Sequence, residues 1–185
     1  MPTAAIALGS NLPSPNLGSR ASNLRAAIDR IAALGKILAV STFHDTAPDG
    51  YLDQPRFLNA ALLLSTELPP LELLRALLGI ERAMGRDRSN VPAKGPRIID
   101  LDLLLIDNLI LNHPANPAPD PGFNSNSDSN AASGSEALPA LTLPHPALAQ
   151  RRFVLAPLAE IAPDLLDPTS GLAIAQLLAH LDRTA

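Results

Sequence analysis

The sequence predicts an α+β domain in which one antiparallel sheet carries helices packed against it. Three observations lead there. Hydrophobic periodicity alternates between short apolar runs and 3.6-residue stripes in the order β-α-β-β-α-β. The 185 residues suffice for one domain with a real core, while two full domains would be crowded. And 46% of the residues are hydrophobic but only 3% aromatic, so the core has to be aliphatic.

Each element has a local reason. TAAIALG (3–9) is a short apolar run ending in Gly, as expected of a buried first strand. NLPSPNLGS (11–19) is broken by Pro and Gly into a loop. In SNLRAAIDRIAAL (22–34), Leu24, Ala27, Ile28, Ile31 and Leu34 form a helical stripe, with Ser22 as the expected N-cap and Gly35 as the stop. KILAVSTFHDTAP (36–48) reads as a second strand, DGYLDQP (49–55) as a loop and RFLNAALLLSTEL (56–68) as a third strand. Pro70 sits in the first turn of a helix over 70–85, where a missing N–H is tolerated, and Gly85 ends it. RDRSNVPAKGP (86–96) is a polar, basic loop. RIIDLDLLLID (97–107) is the fourth strand, with 108–112 continuing or pairing with it, and a last helix is expected near 172–181. The order is that of a ferredoxin-like sandwich with helices on one sheet face.

The whole chain, 1–185, is expected to be one domain. Residues 113–139 are rich in Pro, Asn and Ser and carry no Lys or Arg, so they bury too little apolar area to offset their ordering entropy. They are expected to form a disordered insertion. A net charge of −4 gives no general attraction to nucleic acid or anionic lipid. The absence of cysteine excludes disulfides, thiolate chemistry and Cys-built zinc sites. No signal peptide or spanning segment is visible, and the expectation is a soluble, cytoplasmic monomer.

GPRIIDLDLLLID (95–107) raises the chemical question. Strand side chains alternate, so Asp100 and Asp102 share a face with Cα atoms roughly 6–7 Å apart, at about 3.3 Å rise per residue. Two such carboxylates repel unless a cation lies between them, and hard oxygen donors favour Mg²⁺ completed by phosphate oxygens. A lone D-x-D is more often a solvated strand end. Arg82, Arg86, Arg88, Lys94 and Arg97, drawn from only 14 cations in the chain, crowd the approach to these acids. They fit either a polyphosphate site or surface pairing with nearby acids such as Asp87. No P-loop and no protein-kinase motif set is present.

Five ordered strings complete the pattern: IALGSNL (6–12), DTAPDGYLDQPRFLNAA (45–61), IERAMGRDR (80–88), GPRIIDLDLLL (95–105) and LTLPHPALAQRRFVLAPLAEIAP (141–163). Together they resemble the 6-hydroxymethyl-7,8-dihydropterin pyrophosphokinase family of folate biosynthesis. The resemblance covers the chain apart from 113–139 and the C-terminal end. It implies a ferredoxin-like fold and transfer of the β,γ-diphosphate of ATP to the hydroxymethyl group of a reduced pterin, releasing AMP. It implies two Mg²⁺ ions on Asp100 and Asp102 and a pterin stacked between Phe57 and Phe153. Asn59, with Thr46 and Pro48, would read the pterin edge. Glu81, Arg88, Leu103, Thr142, His145 and Arg151 would belong to the ATP site, and Arg86 and Arg97 would assist the transfer. Closure of the 86–96 loop is expected to bring Arg86 onto the phosphates.

From the residues alone, ordinary readings compete: Phe57 and Phe153 as core rings, Asn59 as a strand-end residue, His145 as a turn histidine, and Glu81 as a partner for a neighbouring arginine. Ala47, Lys94, Pro146 and Arg152 depart from the family's common residues, and Phe57 stands where tyrosine is frequent. A ligand-binding regulatory module and a Mg²⁺-dependent nucleotide hydrolase are the competing functions. Pterin-dependent AMP release separates the pyrophosphokinase from both.

Overall fold

The computed structural model describes residues 1–86, 95–115 and 139–184. Most of the expected loop at 86–96 and of the expected insertion at 113–139 therefore lies outside the described residues, as does Arg88.

Five strands build the main sheet: β1 (Thr3–Ser10), β2 (Lys36–Val40), β3 (His44–Thr46), β4 (Phe57–Ser65) and β5 (Asp100–Ile106). They run in the order β2-β4-β1-β5, β3 also pairs with β4, and every pairing is antiparallel. With α1 (Arg20–Ile31) between β1 and β2, and α2 (Pro70–Ala83) between β4 and β5, this is the ferredoxin-like arrangement. The second expected strand is split in two. At Ser41 the ladder passes through a side chain, since Ala61 N–H donates to Ser41 Oγ at 2.9 Å while Ser41 N–H donates to Ala61 O. β2 and β3 thus line up end to end along β4.

The pleat of β1 sorts two cores. Ala4, Ile6 and Leu8 face Leu24, Ala27 and Ile31 of α1 and Leu73 and Leu77 of α2. Ala5 joins Ala61 and Leu105 against α3 (Arg152–Ile161) and α4 (Ile174–Thr184), through Val154, Leu155, Leu158, Ile174 and Leu177. Helices therefore cover both sheet faces, not one. The physical reason is that the C-terminal segment carries its own apolar stripe, and the alanines of β1 and β4 leave room for it. Unbroken alternation along 97–107 would put Leu105 on one face with Leu101 and Leu103. Leu105 does not join them, because the β1–β5 register slips between Ala5 and Ile6: Ile6 pairs with Leu103 and Ala5 with Leu105, leaving Leu104 as the extra residue of a bulge.

Smaller differences have local causes. Ser19, not Ser22, caps α1, its hydroxyl accepting from Ser22 N–H. Residues 111–113 pair not with β5 but as β6 (Leu111–His113) with β7 (Leu141–Leu143), so His113 belongs to a strand and not to the insertion. No helix among the described residues is long and apolar enough to cross a membrane.

Gly35 sits where the chain turns from α1 into β2. A Cβ there would lie 2.3 Å from the carbonyl oxygen of Ser65. Backbone cannot yield as a side-chain tip can, so Gly35→Ala is expected to cost about 1–3 kcal/mol from overpacking. Denaturant melts of the purified variant, with activity per folded molecule little changed, check this.

Candidate active site

The site lies on the α3 side of the sheet, at the end of β1, β4 and β5 that α3 leaves uncovered. Its floor is Ala7 and Gly9 of β1, and Gly9 is there for space: a Cβ would come within 3.0 Å of Asn59 Oδ1 and 4.0 Å of the Phe57 ring. The cavity is about 250 Å³. One part is ringed by Phe57, Asn59, Thr46 and Phe153, the other by Asp100, Asp102 and three arginines, Arg86, Arg97 and Arg151, with His145 at the margin.

On β5 alternation does the sorting. Asp100 pairs with Gly9 and Asp102 with Ala7, so both carboxylates rise from the floor on one face. Arg86 bridges Asp100 and Glu81. The second guanidinium on Asp100 is Arg97, 3.1 Å away, and Arg151 stands 3.6 Å from Asp102. Arg86 reaches the site because α2 ends in Gly85 at φ 90°, a left-handed turn that glycine adopts freely and that sends the next residue back over the helix end. Burial works against the Arg86 charge, yet Asp100 and Glu81 more than offset it and hold the guanidinium more firmly protonated than usual.

Asp102 is the strained member. Burial raises its carboxyl above the ordinary range and the Asp100 charge adds to this; His145, Arg151 and Arg97 offset it only in part. Burial likewise lowers the His145 imidazole, against the pull of Asp102. Its Nδ1 accepts from Ala147 N–H at 3.1 Å, so a neutral ring carries its proton on Nε2.

The two rings are each half of a pair. Arg97 lies over Phe57, 5.1 Å from the centroid, and Arg151 lies over Phe153 at 5.8 Å. Between the rings, Asn59 Nδ2 donates to Thr46 Oγ1 at 2.8 Å, a cross-strand bond from β4 to β3. A flat heterocycle entering here meets two aromatic faces, an amide and a hydroxyl.

A second cavity, about 360 Å³, wraps around the free edge of β5. It is lined by the other face of that strand, Leu101 and Leu103, by Leu74 and Leu78 of α2, and by Thr142 of β7. Asp102 and His145 line both cavities, which makes them one trough. His145 is fixed at the strand edge by its own N–H, which donates to Leu104 O at 2.7 Å.

The structure thus gathers Thr46, Phe57, Asn59, Arg86, Arg97, Asp100, Asp102, His145, Arg151 and Phe153 around one cavity, and Leu103 and Thr142 around its neighbour. Pro48 is half-buried beside the first cavity and does not line it. Glu81, expected at the ATP site, lines neither. It is 2% exposed and accepts the Leu101 N–H at 2.7 Å as well as Arg86, so it sits behind the wall as a brace for β5. Gly9 and Asn11 were missed by reasoning on chemistry-bearing types. Their only signal was membership of the IALGSNL string, which reports close backbone approach and buried polarity, neither readable from residue type.

Comparison with known proteins gives the same reading. Residues 5–163 match the model of the 7,8-dihydro-6-hydroxymethylpterin-pyrophosphokinase (HPPK) family. A Pseudomonas aeruginosa protein named 2-amino-4-hydroxy-6-hydroxymethyldihydropteridine pyrophosphokinase is 38% identical over 94% of this chain and 88% of its own. A protein of the same name from Methylorubrum extorquens is 37% identical over 98% of this chain and 95% of its own. In solved structures, an HPPK-DHPS in complex with substrates superposes with a TM-score of 0.70 at 16% identity. That match covers 99% of this chain but 44% of the other, and it speaks to the fold alone. On the family match and the two relatives, the chain belongs to the 7,8-dihydro-6-hydroxymethylpterin-pyrophosphokinase family.

Proposed function

We propose that this pyrophosphokinase joins its two substrates in the trough described above: 6-hydroxymethyl-7,8-dihydropterin between Phe57 and Phe153, and ATP around β5. The observation that carries the reading is the sorting by β5. Its leucines form the apolar wall of a mixed cavity, a wall suited to a nucleobase, and its aspartates face a cavity ringed by arginines suited to phosphates. The cavities meet at Asp102 and His145, where the phosphate chain would cross.

The residues fit Mg²⁺. Among the described residues there is no cluster of three His, Cys, Asp or Glu for an all-protein metal cage. Two same-face carboxylates are what a magnesium ion takes when phosphate oxygens complete its shell. A cation also relieves the like-charge cost that lifts the Asp102 carboxyl. Asp100 and Asp102 would hold the ions, which would draw charge from the bridging oxygens as the diphosphate transfers.

The chain's own residues supply position and positive charge. Phe57 and Phe153 hold the pterin ring flat, and Asn59 and Thr46 fix its edge, aiming the hydroxymethyl oxygen at the β-phosphorus. The bond from that oxygen to the β-phosphorus forms as the bond from the β-phosphorus to the α,β-bridging oxygen breaks; AMP leaves with the bridging oxygen, and the hydroxyl proton passes to solvent. Arg86 and Arg97 neutralise the equatorial oxygens, which carry most of the developing charge. Arg97 has a buried Nε with no acceptor among the described residues, a donor ready for a phosphate oxygen. His145 presents Nε2–H at the crossing between the cavities, and Arg151 adds charge beside Asp102.

The deciding assay is AMP production from ATP and Mg²⁺, with and without the pterin. AMP that appears only with pterin supports the reading; pterin-independent cleavage would make the chain a nucleotide hydrolase. Asp100→Ala and Asp102→Ala are each expected to remove nearly all pterin-dependent turnover with the circular dichroism spectrum retained. Phe57→Ala should weaken pterin binding by about 1–3 kcal/mol through lost stacking area, read by titrating a pterin analogue.

Asp102 also yields a stability prediction. Its folded pKa stands above the unfolded value. The folded chain therefore holds that proton more tightly, and the ionised carboxylate costs stability increasingly as pH rises through the carboxylate range and beyond. In a metal chelator, Asp102→Asn should melt higher than the wild type at neutral pH, with the gap closing in acid, while activity is lost. Calorimetry across pH reads both signs.

A further inference from the structure

The turn that leaves β1 carries a residue that the chemistry above does not use. Asn11 is 1% exposed, and its side chain is bonded on both sides. Its Oδ1 accepts the Arg97 N–H at 2.7 Å. Its Nδ2 donates to Gln54 Oε1 at 3.0 Å and to Pro55 O at 3.1 Å. Its backbone N–H donates to Arg97 O at 3.1 Å. One amide thus fastens the segment just before Phe57 to the segment just before Asp100.

What those segments carry gives the arrangement meaning. Pro55 lies two residues ahead of Phe57, one of the two proposed pterin rings. Arg97 lies over that same ring and holds Asp100. Gln54 extends the network, its Nε2 donating to Tyr51 O at 2.6 Å inside the 49–55 loop. A second buried amide supports the junction from beneath: Asn23 Nδ2 donates to Leu12 O at 2.9 Å and to Ile98 O at 3.2 Å.

Resting on the function proposed above, we infer that Asn11 is a positioning residue coupling the pterin seat to Arg97. It touches neither substrate. Its donors set the loop that ends in Phe57, and its acceptor sets the backbone from which Arg97 reaches the phosphates. Only a side-chain amide offers a donor and an acceptor in that span; a carboxylate would face two carbonyl oxygens with a third. The two halves act on different steps. Loss of the donor half loosens pterin binding, and loss of the acceptor half displaces Arg97 and slows transfer.

Two variants separate the halves. Gln54→Ala removes one of the two acceptors of Asn11 Nδ2 on the pterin side, leaves the Asn11–Arg97 bonds in place and lies in a loop, so folding is preserved. It should raise the dissociation constant of a pterin analogue several-fold with kcat at saturating substrates unchanged. Asn11→Ala cuts both sides. It should raise the same constant at least as much and lower kcat by about tenfold or more, the scale expected of a misplaced transfer group. Binding of an ATP analogue without pterin should stay at the wild-type value in Gln54→Ala, which leaves the Arg97 side untouched. In the double variant the pterin effects should fall short of the product of the singles, because both act through one bond. A folded Asn11→Ala with wild-type kcat overturns the inference. So do pterin effects that multiply fully in the double variant. If the wild type makes no AMP with pterin, the proposed function fails instead, while the binding titrations still read the coupling.

Discussion

Strand β5 has to be two things within seven residues. Its C-terminal half must bury leucine on both faces, while its N-terminal half must present two carboxylates on one face and leucine on the other. An unbroken pleat keeps Asp100, Asp102 and the third residue of the series, Leu104, on one face and Leu105 on the opposite one. The bulge at Leu104 releases this constraint by placing Leu104 and Leu105 together against α3 and α4. The acids then stand at the uncovered end and the core begins immediately after them. β5 is also the sheet's edge, so its second face and its free edge open to the second cavity. Both halves of the trough follow from where one strand lies and where its register slips.

Electrostatics explains how the acids are held in that position. Three guanidinium groups contact two carboxylates in the cavity, and a third carboxylate, Glu81, is buried behind Arg86. Removing one partner from such a cluster leaves an uncompensated charge in a poor solvent, so these pairs are costly to break even where they are worth little to make. Glu81 is the clearest case. Its carboxylate binds a backbone N–H of β5 and the arginine that reaches Asp100, so it fixes the strand and the charge above it together. The balance is uneven: Asp100 has two close arginines and Asp102 one distant one, and the unrelieved burial falls on Asp102.

Much of this was legible in the sequence because alternation and periodicity are local. The two aspartates were placed on one face by counting, a helix over 70–85 by its proline and its closing glycine, and the ring-bearing residues by the ordered strings. What was not legible depended on register or on contacts far apart in the chain. The slip at Leu104 is not legible locally: DLDLLL stops alternating there, but an apolar run buried on both faces would read the same without a bulge. The break at Ser41 depends on Ala61, twenty residues on, and the pairing of β6 with β7 on a partner beyond the 116–138 stretch. Glu81 was placed by resemblance at the nucleotide. The reading that it partners an arginine, available from helix spacing, matches what its side chain contacts. The one-face arrangement of helices failed for a related reason: 152–161 was not read as a helix, and the alanine-lined face that receives it belongs to β1 and β4.

The two rings carry the last step. Each has a guanidinium over its face, and each of those guanidinium groups also approaches an aspartate: Arg97 joins Phe57 to Asp100, and Arg151 joins Phe153 to Asp102. A flat heterocycle stacked between the rings competes for the faces that the arginines now cover. Phosphates, and cations on the aspartates, compete for the other ends of the same groups. Filling either half of the trough therefore changes what the arginines can do in the other half. An arginine displaced from a ring by the heterocycle is freer to meet an anionic oxygen, and one drawn to phosphate uncovers the ring. On the proposed function, two substrates that shared their counter-ions in this way would favour each other's binding without any movement of the sheet, because the coupling lies in two side chains that each join a ring to an aspartate.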